Sequence, residues 1–385
     1  MKRSFILSIF IFSSTLMLVA QTTHEPKGVM RFLHKLGTLI DTMAVRGVDP
    51  HYITAPERPW QVIAKGNVNQ SELRMKSTIN STTISTEMTG DLEWEPRIKS
   101  SLLSYAGIWA GYRGYGLGYS WNVSGGKGSI LSFGATGGSY GINLRIHTFR
   151  SNKPEVHYEG AFLYENGQPI FITKTDQVQL ASAIKTRTLL LDAYYLFNGK
   201  RFSYAAAYDQ SVIQKRSAGS FMAGAMYYHS HINYVDDENA AFIMLMDDIG
   251  RIKQWQFSVG AGYAYNFVPC QGLLISAMFM PMLTIYDRHK TWRYDSNLRE
   301  VIETAIQAED ELIMNEYHLN DEPLSITDGH SPVALNFDTR LSLTYQWSRF
   351  FINAYGQFSR FHFKDDGVKG TLRDWYINAS IGVRF

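Results

Sequence analysis

Several short motifs in this 385-residue chain carry residue types that could do chemistry. Gly137-Gly138-Ser139-Tyr140-Gly141 matches the G-x-S-x-G pattern of a nucleophilic serine, which needs a strand–turn–helix elbow to present its hydroxyl. Strand-like sequence flanks it on both sides and no helix follows, so it reads as a glycine-rich tight turn. Gly125-Gly126-Lys127-Gly128-Ser129 has the composition of a phosphate loop, but lacks the G-K-[ST] order and the helix behind it; it reads as a hairpin turn. His229 and His231 stand two apart and share one face of a strand. Two such imidazoles could begin a metal site or supply the base of a barrel enzyme that hydrolyses lipid, but no third ligand or orienting carboxylate accompanies them. Asp236, Asp237, Glu238, Asp247 and Asp248 follow in the same loop; they could hold Ca²⁺, and read as a solvated acidic loop. The expectation is therefore no catalytic residue, no metal and no cofactor.

The elements that would position these residues are those of a membrane barrel. Aromatics make up 14% of the chain, with 23 Tyr and 22 Phe, and charged residues only 19%, against roughly 25% in soluble domains. The net charge is +2 and the Lys and Arg are scattered, which excludes a nucleic-acid reader with its basic stripe. A mean hydropathy of −0.18 excludes a helical membrane protein, yet suits a chain in which every second position is polar. Cys270 is the only cysteine, so there is no internal disulfide and no thiolate cluster.

The N-terminus reads as a secretory signal peptide over residues 1–20. Lys2 and Arg3 precede an apolar stretch from Phe5 to Val19, and Ala20 offers a small residue before Gln21. The stretch is shorter than the roughly 20 residues a spanning helix needs, and Gln21 in place of Cys closes the lipoprotein route. Val29, Phe32, Leu33, Leu36, Leu39, Ile40 and Met43 fall near helical spacing within 27–45. Pro50, Pro56 and Pro59 then interrupt residues 49–60. Residues 21–78 are accordingly expected to form a periplasmic, partly helical extension, with the barrel over 79–385.

From about residue 79 the period becomes two. Tyr115, Leu117, Tyr119, Trp121 and Val123 alternate with Gly114, Gly116, Gly118, Ser120 and Asn122. Segment 140–149 sets Tyr140, Ile142, Leu144 and Ile146 against Gly141, Asn143, Arg145 and His147. Segment 254–267 and segment 333–347 repeat the pattern, the latter with Leu341, Leu343, Tyr345 and Trp347 opposite Arg340, Ser342, Thr344 and Gln346. Soluble sheets also alternate, but these segments run 10 to 14 residues, beyond the globular mode of about 5 to 6 and enough to cross a bilayer at a tilt. Aromatics gather near the strand ends, as interfacial girdles require.

The last segment alternates Trp375, Ile377, Ala379, Ile381, Val383 and Phe385 with polar partners, and the chain stops on Phe385. A terminal aromatic in the lipid-facing register is similar to the sorting signal read by bacterial barrel-insertion machinery; Trp375, Ile377, Ile381, Val383 and Phe385 are its candidates. With a periplasmic C-terminus, 268–271 and 347–350 fall as short inner turns, while 231–252 and 287–332 fall as long external loops. The parse gives strands near 79–88, 98–109, 113–123, 128–136, 140–149, 156–164, 187–197, 202–211, 217–230, 254–267, 272–286, 334–347, 350–363 and 373–385. These number fourteen, or twelve if the weak first and sixth are dropped. Pro281 inside a strand calls for a bulge or a rim. Residues 295–322 carry nine acids against Arg299, with Leu298, Ile302, Ala305, Ile306, Leu312 and Ile313 on one helical face, and are expected to form a helix in the external loop 287–332.

Residues 105–120, 137–143, 194–204 and 214–220, among them Trp109-Ala-Gly-Tyr112 and Tyr194-Tyr-Leu-Phe-Asn198, resemble an uncharacterised family of Bacteroidetes outer-membrane proteins classified only as a domain of unknown function. The resemblance covers roughly residues 45 to 385. It implies a barrel and an outer-membrane location, and no activity.

On the polar face of the expected strands stand Arg145, His147, Asp192, Asp338, Arg340 and Arg384. Charges there must be paired or hydrated, either as an ion-pair network closing a narrow lumen or as the lining of a wet pore. The sequence thus points to an all-β, closed antiparallel transmembrane barrel of about 12 to 14 strands in the cell outer membrane. Its expected role is non-enzymatic, as a channel, transport accessory or structural envelope protein, with outer-membrane lipid and the insertion machinery as partners. A lipid-acting barrel enzyme and a secreted all-β binding module are the alternatives.

Overall fold

A strand with one face in hydrocarbon has no water to satisfy its backbone and must find partners along both edges. The protein, described from a computed structural model, meets this requirement with a closed twelve-stranded antiparallel barrel. The structure describes residues 47–80, 91–95, 97–100, 102–165, 168–246, 248–295, 318–330, 333–365 and 368–385. The first six wall strands are β1 (Trp60–Asn80), β2 (Leu103–Tyr112), β3 (Tyr115–Asn122), β4 (Gly128–Thr136), β5 (Tyr140–Ser151) and β6 (Ile184–Leu196). The other six are β7 (Ala218–Asn233), β8 (Ile249–Cys270), β9 (Leu273–Arg293), β10 (Ala334–Trp347), β11 (Phe350–Asp365) and β12 (Val368–Arg384). β12 returns to β1, with Lys369 opposite Lys76 and Arg384 opposite Gln61.

Alternation sorts the side chains. Leu341, Leu343, Tyr345, Ile377 and Ile381 are exposed on the outside, whereas Asp338, Arg340, Ser342, Asn378 and Arg384 are buried inside. Phe221 and Leu335 are each 69% exposed, and such residues continue around the wall. A soluble monomer rarely exposes an apolar patch beyond a few hundred Å², so the outer face is built for lipid. The band has the right height: the twelve steps from Phe267 to Trp255 in β8 rise about 40 Å along the strand. At a tilt of about 45° that is about 28 Å.

The ends differ. At one, two-residue turns join β2 to β3 (Arg113 and Gly114, both at positive φ) and β10 to β11 (Ser348 and Arg349, the first at positive φ). Positive φ at both central residues matches the twist of a tight hairpin. Gly272 at φ 87° does similar work between β8 and β9, and Cys270 is exposed there. The first and last strands of the wall meet at this turn end, where Trp60 and Phe385 exchange backbone hydrogen bonds. The opposite, loop end carries the hairpin of Glu155–Glu165 with Gln168–Gln177 and the strand Ser325–Gly329, which adds to the tip of β9.

Four expectations are corrected. The barrel begins at Trp60, inside the stretch read as a periplasmic extension over 21–78. Trp60, Val62, Ala64 and Val68 do alternate with Gln61, Ile63, Lys65, Asn67 and Asn69, but Gln70, Glu72 and Arg74 then make the outer face polar, so the pattern looks interrupted. Pro59 does not break the strand, because it precedes the first paired residue and forfeits no ladder bond. Residues 202–211 are not a wall strand but a helix-bearing segment inside the barrel, and 156–164 belongs to the hairpin beyond the wall. The wall strands therefore number twelve. Pro281 lies at neither rim nor bulge: it sits within β9, facing outward opposite Phe337. The β8–β9 ladder skips from the Gly260–Met282 pair to Tyr263–Phe279, so its missing N–H falls in that gap. The signal peptide, the 27–45 helix, most of the 79–88 strand and most of the acidic helix lie outside the described residues.

The outer face yields a direct check. Leu341 is 60% exposed on β10, so Leu341→Arg should lower stability in lipid vesicles by about 2–4 kcal/mol, measured by reversible urea unfolding. A loss below about 1 kcal/mol would mean that this position does not meet hydrocarbon.

Candidate functional site: an occluded lumen

One connection at the turn end breaks the rule of short turns. Between β6 and β7 the chain runs from Phe197 to Ser217 and folds back into the barrel. It carries α1 (Tyr204–Tyr208), started by Ser203, whose side chain accepts a hydrogen bond from the Ala206 N–H in the manner of an N-cap. Phe202 and Ala207 are fully buried. The tip of this plug pairs with the N-terminal segment, Ile53 opposite Gln214 and Thr54 opposite Ile213.

Wall strands hold the plug by its exposed backbone ends. The Ala207 carbonyl, left open at the end of α1, accepts from Ser342 Oγ at 2.6 Å and from Asn353 Nδ2 at 3.0 Å. Arg384 donates from Nη2 to the Gln210 carbonyl at 2.7 Å while its guanidinium lies over the Phe351 ring. Asn266 Nδ2 donates to the Ser203 carbonyl at 2.8 Å and to Gln214 Oε1 at 3.1 Å. Gln61 Nε2 donates to the Asp209 carbonyl and carboxylate, and Thr136 Oγ1 donates to the same carboxylate.

Charge is concentrated at Arg340. Its guanidinium is buried with Asp338 at 2.8 Å and Asp192 at 3.2 Å, and donates to the Tyr204 hydroxyl of the plug. Asn143 Nδ2 donates to Asp192 at 2.7 Å, and Gln357 Nε2 to Asp338 at 3.0 Å. A neighbouring layer pairs Arg145 with Asp374 at 3.1 Å and sets its guanidinium over Tyr376. His147 is enclosed there, hydrogen-bonded to Tyr105 Oη at 2.7 Å and Asn69 Nδ2 at 3.2 Å, and stacked on Phe149. Arg145, His147, Asp192, Asp338, Arg340 and Arg384 thus all lie on the inner face: Asp192, Asp338 and Arg340 bond to one another, Arg145 and His147 each take other partners in the next layer, and Arg384 grips the plug. The sorting-strand candidates Trp375, Ile377, Ile381, Val383 and Phe385 lie on the outer face of β12 and its end.

Between plug and wall is a cavity of about 130 Å³, lined by Lys65, Tyr204, Asp209, Arg340, Tyr355 and Tyr376 among others. Its polar walls give several waters the partners they need. Lys65 reaches in from β1, and its ammonium donates to Ser132 Oγ at 3.2 Å; among the described residues no carboxylate pairs with it. Trp109 closes one side by lying against glycines: a Cβ at Gly116 would fall 2.0 Å from its ring. Lys65, Gln61 and Asp209 were not among the sequence-derived candidates, because the first two fell in the assumed extension and the third in an assumed strand. The signal that could have found them is the inward parity of 61, 63, 65, 67 and 69.

The motifs singled out for chemistry fall elsewhere. Gly137–Gly141 spans the turn into β5, with Ser139 giving its carbonyl to the Leu196 N–H. Gly125–Ser129 spans the loop from β3 into β4. His229 faces outward, stacked on Trp255 with Nδ1 on the Gln254 carbonyl at 2.9 Å. In the acidic loop, Asp236 caps a short 3-10 turn and Asp237 accepts from the Leu319 N–H. α2 (Ala240–Leu245) follows, and Phe242, Ile243 and Met246 pack with Tyr234 and Tyr294 over the loop end of the interior.

These features define a closed membrane-type barrel with an internal plug. Residues 65–385 match the family described as "Domain of unknown function (DUF4421)", and the chain belongs to that family. No curated protein matches it significantly. Among solved structures, the outer membrane protease OmpT from Escherichia coli is similar over 86% of this chain and 98% of its own, at 8% identity and a TM-score of 0.36. The Pseudomonas putida toluene transporter TodX aligns over 86% of this chain and 91% of its own, at 8% identity and a TM-score of 0.28. An outer membrane channel from Pseudomonas putida F1 aligns over 88% and 100%, at 9% and 0.25. Likeness at this level transfers no residue's role.

Asp209 belongs to the plug, and burial raises its pKa to about 6 against the hydrogen bonds from Thr136 and Gln61 that favour the carboxylate. Docked, it holds its proton up to about pH 6; released, only to the ordinary value of 3.8. Docking is therefore firmest below pH 4 and weakens as pH rises from 4 to 6. Plug accessibility to protease at the turn end should increase over that interval and then level off. Asp209→Asn should abolish the dependence.

Proposed function

We propose that this protein is a non-enzymatic channel of the bacterial outer membrane, held closed at rest by its own 198–217 segment. The observation that carries the reading is the Ala207 carbonyl, drawn inside the wall and gripped by Ser342 and Asn353. Beyond the apolar packing of α1 on Ile53 and Leu274, the plug is tied by individual polar contacts, each of which exchanges for water at a net cost of only about 0.5–1.5 kcal/mol. The turn end is read as periplasmic, because barrel termini and short turns lie there. The signal-peptide pattern at 1–20, the terminal Phe385 and the resemblance to Bacteroidetes envelope proteins support export and outer-membrane insertion. Lys65, which no described carboxylate pairs, lines the cavity together with Arg145 and Arg340, which suits a small anionic solute.

Purified protein in planar bilayers should be mostly silent. The pair Ser342→Ala with Asn353→Ala, which keeps the ion pairs intact, should give discrete openings at least tenfold more often. Arg340→Ala should open further, since it leaves Asp192 and Asp338 uncompensated at a cost of about 3–5 kcal/mol. A folded double variant as silent as the parent would remove the channel reading and leave a structural role. A parent that conducts steadily would show that the plug does not close the pore.

A further inference from the structure

The outer face changes character above the loop-end edge of the apolar band. Lys185 and Arg187 of β6, Arg251 and Lys253 of β8, and Arg288 and Lys290 of β9 all point outward there. The register makes them one surface. Arg187 lies opposite His231 of β7, His231 opposite Lys253, and Lys253 opposite Lys290. Like charges directly across a ladder destabilise a sheet. The Lys253 and Lys290 ammoniums moreover converge on the same ring, 5.3 Å and 5.4 Å from the centre of Trp292, and Arg251 lies over it at 5.6 Å.

One carboxylate reaches this surface: Asp328 pairs with Arg288 at 2.6 Å and stands opposite Lys290 across the ladder. Among the described residues no other acid pairs with the six cations, and Lys185, Arg187, Arg251 and Lys253 are left without one. The loop end of the far wall is built differently: Glu72 pairs with Arg74, Glu95 with Arg97 and Glu155 with Lys99, and Arg373, opposite Arg360, also stands opposite Glu72. That side sets three acids among its cations, while this one has Asp328 alone and presents more charge to what lies beside the barrel. Immediately below the cations, towards the apolar band, stand Trp255, Phe257 and Tyr286, with Trp255 opposite Arg288 and Phe257 opposite Tyr286. Aromatics of this kind mark the boundary between hydrocarbon and headgroup, so the next two residues along each strand reach the level of lipid phosphates.

We infer that this face of β6–β9 binds the phosphate groups of an outer-leaflet lipid carrying more than one phosphate. Phosphates set between the strands bridge the opposed cations, and Arg offers a fork while Lys offers a point charge. Two rows of cations, Lys185 with Arg251 and Arg187 with Lys253 and Lys290, take separate phosphates of one headgroup. The inference rests on the orientation given under Proposed function, in which the loop end faces outward.

The protein is placed in nanodiscs of phosphatidylcholine doped with diphosphoryl lipid A, and retained lipid is counted by native mass spectrometry. The parent should retain lipid A in preference to phosphatidylcholine, with retention falling as salt rises. Arg187→Gln with Lys253→Gln and Lys290→Gln should weaken retention at least tenfold, while Lys253→Arg with Lys290→Arg keeps it. Arg74→Gln with Arg97→Gln and Lys99→Gln, on the far wall, should leave it unchanged. Heat-modifiable mobility on gels confirms that each variant is folded. Equal retention in the parent and the first triple variant overturns the inference, as does full competition by millimolar inorganic phosphate, which would mark a free-anion site. Inserted, folded protein that fails these tests sinks this inference alone; failure to enter lipid at all sinks the outer-membrane reading with it.

Discussion

The pairing of β1 with β12 is the constraint on which the rest depends. An open edge in lipid leaves a row of unpaired N–H and C=O groups that nothing in hydrocarbon can satisfy, so the ladder from Lys369–Lys76 to Arg384–Gln61 is a condition for the barrel to exist. Closure also fixes side-chain direction. Once Trp60 and Phe385 are joined at the turn end, each residue's parity decides whether it meets lipid or lumen. Phe385 faces out while Arg384, one residue earlier, faces in and reaches the Gln210 carbonyl. The strand that closes the wall therefore also holds the plug.

Parity was legible in the sequence wherever one face was uniformly apolar. β3, β5, β8, β10 and β12 could be laid out residue by residue, and the six charged or imidazole side chains assigned to the inner face stand there. Two segments were not legible, for different reasons. β1 keeps its apolar side only as far as Val68, then carries Gln70, Glu72 and Arg74 outward where the strand leaves the band; a window over its whole length averages two environments. The plug misleads in the opposite way. Phe202 to Ala207 are all buried, so no polar face betrays the element, and Tyr204 with Tyr208 are spaced by four, a distance common to both the helical and the strand repeat. Only the length of the β6–β7 connection, at an end where other turns take two or three residues, would have singled it out.

The interior then follows from size. Small barrels fill with their own side chains; at twelve strands this one does so only with help from folded-in segments. Charges accepted into that space need partners, because an isolated buried charge is costly and a broken pair more so. Arg340 has two carboxylates and a tyrosine hydroxyl, and Arg145 a carboxylate and an aromatic face. Lys65 departs from the rule, and it does so beside the cavity. The exception has meaning because the neighbouring cations obey.

The two ends of the interior differ in how much polar bonding their seals contain. At the loop end Phe242, Ile243 and Met246 pack with Tyr234, Tyr294 and Leu319 in an apolar cluster. Opening that cluster exposes greasy area to water at about 25 cal/mol per Å² with nothing gained in return. At the turn end Ile53, Ala205, Ala206, Ala207, Val212 and Leu274 also pack together, but the wall adds bonds to carbonyls and amides, and water can replace each of those partners as it is released. The plug is tethered at both ends, by β6 and by β7, and its 213–214 stretch pairs with Ile53 and Thr54, Ile53 packing on α1. None of its residues takes part in the barrel ladder, since the 213–214 stretch pairs only with 53–54 in a separate two-stranded sheet, so the wall's own hydrogen bonds do not depend on it.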